Sequence, residues 1–288
     1  MNDIVHAIPK VAHHRIFDLL SESTSKETKL ATCRWFVEMI IDVFFSDFLI
    51  KNVGEKKCLS MNLYNKIKVI KESEHFNDAI GLTMDEIRLK GNSGAHYNHD
   101  LPSEIEIQEI ITKCLRIFDL LLIDWFEKNR FDKTQNTAVI LSTLLPSIRV
   151  RVISHFCKIE NISSNYDKAL FHKLLLAHVK NNDVKLAKEL LSSAKESSKI
   201  DDNEYLFELE SIDKIAVKMK VSLPVAKNLS DSKRNFSEVI STLDNQDKDL
   251  NSGLIEIISR LLEQISPSDM GDLKGSQVFE LTCSVAYR

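Results

Sequence analysis

The chain has 288 residues, 43% of them hydrophobic and 28% charged, with a formal net charge of −4. That apolar fraction, at a mean hydropathy of −0.15, is enough to bury a core and excludes wholesale disorder. Only 7 Gly and 5 Pro are present, too few for the turn every ~8–12 residues that an all-β sandwich or barrel requires. A net negative charge supplies no global field for nucleic acid, so any such contact must be a local patch.

At roughly 150 residues per domain the length points to two domains. Residues 1–9 lack the basic and apolar regions of a secretory leader. The most apolar stretch, 115–126, is short and interrupted by Arg116, Asp119 and Asp124, so no membrane span is expected. Cys33, Cys58, Cys114, Cys157 and Cys283 are scattered with no C-x-x-C pair. They read as structural thiols, without zinc or disulfides, in a cytoplasmic protein.

In chain order the pattern is helix after helix, and the expected fold class is all-α. Residues 25–50 carry a wide apolar stripe from Leu30 through Trp35, Phe36, Met39 and Ile40 to Val43 and Phe44, with Asn52 and Gly54 as the stop. Arg34 and Glu38 lie four apart on this helix, placed to pair or to point together into the bundle. Leu63, Ile67 and Ile70 mark a second helix. Thr83-Met84-Asp85-Glu86 is a capping-box pattern expected to open a third, and Ser103-Glu104-Ile105-Glu106 another, opening a long fourth helix to about Lys128. Four helices with short connections suggest a bundle over residues 1–128, with a polar linker at 129–137.

A helical domain is expected over 138–288, with a break near Pro146 and an αα-hairpin turning at Asn181-Asn182. No repeat at fixed period accompanies that hairpin, which argues against a solenoid. Further helices are expected at 236–243 and 254–265. Residues 279–287 alternate strictly enough for a single strand.

Glycine is scarce, so its clustering in Arg88-Leu89-Lys90-Gly91-Asn92-Ser93-Gly94-Ala95-His96 is informative. The pair is expected to break the third helix and to gather Arg88, Lys90, Asn92 and His96 around one turn. A cation, an amide and an imidazole together suit phosphate chemistry, with His as acid or base and Arg or Lys stabilising charge on oxygen. The competing reading is a plain helix stop with His96 as a capping or core residue. His96-Tyr97-Asn98-His99-Asp100 contains metal-ligand types, but so close a spacing favours a solvated loop, and no metal is expected. His13-His14, His172 and His178 have no ligand-like context. P-loop, Rossmann and G-x-S-x-G patterns are absent, so no cofactor is expected.

Arg88-x-x-Gly91-Asn92-x-x-Ala95-His96, placed just before a long helix, resembles the signature of a HEPN-like domain. More narrowly it is similar to an uncharacterised bacterial family linked to restriction and defence systems. The resemblance covers about residues 14–128, and Arg34 and Glu38 in the first long helix also fit that family. It implies a four-helix HEPN-like bundle, usually a two-fold dimer, that binds RNA or cleaves it without metal. In that chemistry the RNA 2′-hydroxyl attacks the adjacent phosphate while His and Arg manage protons and charge. Aligning Asn92 and His96 with the family's polar residue and His puts Gly91 where its Arg stands, leaving Arg88 and Lys90 as the nearby cations. A nuclease and a binding-only bundle both fit. By the same resemblance Arg34 and Glu38 would bind RNA or orient the loop.

A second pattern, 212–229, resembles a helix-turn-helix, with Ser222 capping a recognition helix and Lys218, Lys220 and Lys227 facing phosphates. Its competing reading is ordinary helical packing. Three functional classes therefore remain. They are an RNA-directed effector or accessory of a bacterial defence or stress system, a non-catalytic dimerising scaffold with a protein partner, and a DNA-binding regulator acting through 212–229.

Overall fold

The computed structural model describes residues 12–95, 101–221, 223 and 225–263. The fold is all-α, with no strand among the described residues. Two compact units emerge, one comprising 12–125 with 256–263, the other 126–255. The division falls inside two helices, so each unit holds a part of both.

The first unit begins with α1 (His13–Leu20) and α2 (Lys26–Ile40), the latter capped by Ser25, whose hydroxyl accepts Thr28 N–H. A five-residue π-helical segment (Ile41–Phe45) leads without a break into α3 (Ser46–Val53). Gly54, at φ 82°, ends α3 as the sequence suggested, because that backbone conformation disfavours any side chain. A short α4 (Glu55–Ser60), which the apolar pattern did not signal, precedes α5 (Leu63–Lys71). Helices α6 (Asp78–Ala95) and α7 (Glu104–Lys128) complete the central run. Residues 256–263 of α15 (Ser252–Glu263) join the same unit, where Arg260 donates to the Val43 carbonyl and pairs with Asp47.

Two expectations about α6 are corrected. The helix starts at Asp78, not at Thr83. Asn77 Oδ1 accepts Ala79 N–H at 2.7 Å, and the buried Asp124 carboxylate accepts Asn77 N–H at 2.6 Å. A carboxylate at that end also complements the helix dipole. Nor do Gly91 and Gly94 break the helix, which runs through both to Ala95. They lie against α2 instead. A Cβ on Gly91 would stand 2.7 Å from Arg34 Cβ and 2.9 Å from the Leu30 carbonyl oxygen, and one on Gly94 would strike the Glu27 carbonyl and Leu30 Cβ. The antiparallel α2–α6 packing is the most extensive in the unit, and the glycines set its closeness. The Ser103–Glu106 capping box is present as expected at the start of α7, with Glu106 N–H donating to Ser103 Oγ and Ser103 N–H to Glu106 Oε2.

In the second unit α8 (Thr137–Ser142) and α9 (Pro146–Phe156) flank the expected break, with Pro146 in the first turn of α9 where a missing N–H costs nothing. A short 3₁₀ turn (Ile159–Asn161) follows. Helices α10 (Asn165–Lys180) and α11 (Val184–Glu196) form the expected hairpin, turning through Asn182 at φ 60°, and α12 (Asp202–Val221) packs across both. Phe171, Leu175, Leu191 and Ile212 centre the core. Before α8, Phe131 is buried and stacked on Phe126 at 3.9 Å, so the polar stretch preceding Thr137 is packed against the unit.

The chain closes with α13 (Leu229–Thr242), α14 (Asn245–Leu250) and the start of α15. The proposed recognition helix is absent: Leu223 and residues 225–228 are non-helical, and α13 begins only at Leu229 because Asn228 Oδ1 caps Asp231 N–H at 2.8 Å. Ser222 and residues 279–287 lie outside the described residues.

The glycine seam makes a direct prediction. Alanine normally improves a helix interior by about 1 kcal/mol over glycine. Gly91→Ala and Gly94→Ala should nonetheless destabilise by about 1–3 kcal/mol, the usual cost of overpacking, because backbone carbonyls of α2 must shift. Urea unfolding checks the sign.

Candidate functional site

The α2–α6 seam places three sequence-selected residues together. Arg34 rises from α2 beside Gly91, where the absence of a side chain leaves room for its stem. Its Nη1 donates to Asn92 Oδ1 at 2.6 Å, and its Nε to Glu38 Oε1 at 3.3 Å. The Arg34–Glu38 pair is the i,i+4 contact their spacing suggests. The link to Asn92 crosses 58 positions of sequence and has no local signature. Arg34 keeps 31% of its side-chain surface exposed and Glu38 44%, so the cluster is open to solvent.

Arg88 and Lys90 do not join it. Arg88 lies four residues before Asn92 and shares its side of α6, but its guanidinium pairs with Asp85 at 2.7 Å and lies 5.1 Å from the centre of the Tyr64 ring. Lys90 is two positions from Asn92, about 200° around the helix. It pairs with Glu106 at 2.7 Å. That ammonium, with the Ser103 amide and hydroxyl, pulls the Glu106 carboxyl down to about 2. A continuous helix therefore separates cations that a broken one was expected to gather.

His96, with the rest of 96–100, lies outside the described residues. Among the described residues no group of three or more His, Cys, Asp and Glu side chains is placed to hold a metal, and no helix is long and apolar enough to cross a membrane. Cys33, Cys58, Cys114 and Cys157 are free thiols. Cys114 Sγ donates to the Cys33 carbonyl at 3.4 Å, and burial raises its pKa. Both cysteines act as small core residues. His172 pairs with Glu208 at 2.7 Å, while His178 is buried, which lowers its pKa. Lys218, Lys220 and Lys227 are all exposed, and Lys220 and Lys227 also line a cavity of the second unit.

What the cluster can do follows from its chemistry. Arg34 offers a planar, permanently charged fork whose remaining N–H groups match phosphate oxygens. Asn92 fixes one edge of the fork, and Glu38 holds the Nε. No protein-family model, curated protein or solved structure matches the chain, so function must be argued from the residues themselves.

The Lys90–Glu106 pair allows a pH test. A carboxyl depressed in the folded state contributes stability above its unfolded pKa, and that contribution is lost as pH falls through the folded value. In Lys90→Met the Glu106 carboxyl should titrate nearer its ordinary 4.5 than the present value of about 2, seen by carboxyl NMR. The acid limb of the stability curve should then be shallower, because Glu106 takes up its proton over nearly the same pH range in the folded and unfolded chains.

Proposed function

We propose that the chain is an RNA-directed protein of the HEPN-like kind, contacting phosphate at the α2–α6 seam. One observation carries the reading: Arg34, whose Cβ packs beside Gly91, has its guanidinium held on Asn92 at 2.6 Å. The HEPN-like signature wants an arginine where this sequence has Gly91. The glycine lets α2 approach closely at Arg34, whose guanidinium reaches Asn92, so Arg34 supplies a cation at that residue where Arg88 and Lys90 do not. If the site cleaves RNA, the 2′-hydroxyl attacks phosphorus, the bond to the 5′-oxygen breaks, and a 2′,3′-cyclic phosphate remains. Arg34 would stabilise charge on the nonbridging oxygens, and His96, by the resemblance, would handle the proton. A defence or stress role is the context this family suggests.

The scaffold reading also has an observation in its favour. Leu82 and Leu89, seven residues apart on one face of α6, are 51% and 55% exposed, and Ile105 at the start of α7 is 74% exposed. Apolar residues so placed suit a helix-to-helix contact between two copies, which is how HEPN-like bundles pair. The dimer is part of the proposal.

Two measurements test it. Arg34→Ala and Asn92→Ala should each weaken binding or cleavage of single-stranded RNA about tenfold or more, as loss of a charge-assisted hydrogen bond does. The circular dichroism spectrum should be unchanged. RNA binding that survives Arg34→Ala defeats the seam reading. Light scattering should give twice the monomer's 32.9 kDa, reverting toward monomer in Leu89→Glu.

A further inference from the structure

The second unit contains a feature that neither the motif nor the seam explains. A cavity of about 830 Å³ opens where the α10–α11 turn, the start of α9 and the end of α12 meet the loop before α13. Among its described lining residues are Lys180, Lys220 and Lys227, with Asn181, Asn182 and Ser147, and no carboxylate. The rest of the lining is apolar, including Val184, Met219 and Leu223.

The surrounding charge is arranged for an anion. Arg149, one turn into α9, is only 5% exposed, and its Nε is buried without a hydrogen-bond partner. A buried guanidinium nitrogen left unpaired is costly, and although Arg149 does not itself line the cavity its charge reaches Lys180, which does. Arg149 acts on Lys180: burial, with the charges of Arg149 and Lys173, lowers the Lys180 ammonium to about 8. Such crowding of like charges is unfavourable without a counter-ion. Leu145 at the N-cap of α9 offers no side-chain acceptor, so the positive end of that helix adds to the same field. The acids nearby are occupied. Asp183 caps Leu186 N–H, and Asp231 accepts the Lys227 N–H and pairs with Arg234.

We infer that this cavity binds a phosphorylated small molecule of nucleotide size. Its phosphates would lie on Lys180, Lys220 and Lys227, and its flat apolar body against Val184, Met219 and Leu223. The volume lies within the ~300–1,000 Å³ usual for small-ligand pockets. A lining that combines cations and amides with apolar side chains matches a nucleotide better than an inorganic ion, which needs no apolar contact.

Calorimetry on the full chain tests this with ADP, GDP and CDP, inorganic pyrophosphate and adenosine as probes. At least one nucleoside diphosphate should bind, pyrophosphate more weakly, and adenosine least. Lys180→Met and Lys220→Met should each weaken that binding about 10- to 100-fold, as loss of a charge-assisted contact does. Lys218→Met, exposed and two residues along α12, should leave it unchanged. Arg149→Met should weaken binding while raising the melting temperature of the unliganded protein, because it removes an unpaired buried charge. That combination is one a merely structural arginine would not show. Absence of binding by all three diphosphates and pyrophosphate at millimolar concentration overturns the inference, as does binding indifferent to Lys180→Met and Lys220→Met. Binding of a single-stranded oligonucleotide through the same lysines, with no nucleotide bound, overturns it in favour of a nucleic-acid backbone contact.

Discussion

The close approach of α2 and α6 is the constraint on which the first unit depends. Two glycines three residues apart on α6 let its backbone come within contact of the Glu27 and Leu30 carbonyls of α2. At that separation small side chains and backbone supply the packing, and longer side chains must leave the seam at its margins. Arg34 does so beside Gly91, and its guanidinium is delivered to Asn92 rather than to open solvent. The same helix exposes the Cys33 carbonyl to Cys114 of α7, so the long helix is anchored to the pair. Geometry set by two absent side chains thus decides where the Arg34–Glu38–Asn92 cluster stands.

Much of the fold was legible because helix periodicity and caps are local. The stripe from Leu30 to Phe44, the Ser103–Glu106 box, Pro146 at the start of α9 and the Asn181-Asn182 turn all announce themselves within a few residues. Misreadings occurred where a tertiary partner overrode a local signal. Thr83 has the pattern of a cap, yet Asp124, distant in sequence, holds Asn77 and starts the helix five residues earlier. The helix expected after Ser222 is not seen among the described residues, and the Asn228 cap starts the next helix only at Leu229. Gly91 and Gly94 carry two meanings, helix breaker and close approach, and spacing alone does not separate them. The decisive fact is what faces them, and it comes from α2.

The candidate site shows the same division. Each of its residues was visible as a residue type, and Arg34–Glu38 as a pair, but their assembly was not. Arg88, Lys90 and Asn92 look adjacent on paper because a turn was assumed. Along a helix Lys90 lies on the opposite side from Asn92, and the partner it finds there, Glu106, is the capping-box residue that also holds Ser103 at the start of α7. The cation nearest Asn92 in space is 58 positions away in sequence. Only the amphipathic stripe of α2, which puts Arg34 on the edge of its buried face, offered a hint.

A net charge of −4 conceals how differently the two units treat their cations. In the first, Arg34, Arg88 and Lys90 each end on an acceptor, and such partly exposed pairs add little stability while fixing direction. In the second, Arg149 has a buried nitrogen with no acceptor, and Lys180 is pushed toward neutrality by burial and by its neighbours. Folding tolerates that arrangement because apolar side chains such as Phe171, Leu175 and Leu191 are buried close by in sequence. A chain selected for stability alone would place a hydrophobic residue at 149, since an apolar replacement of similar volume removes the desolvation cost without opening a hole. The unpaired Arg149 nitrogen is therefore a cost to the fold, and the Lys180 that its charge reaches lines a cavity with no carboxylate among its described lining residues.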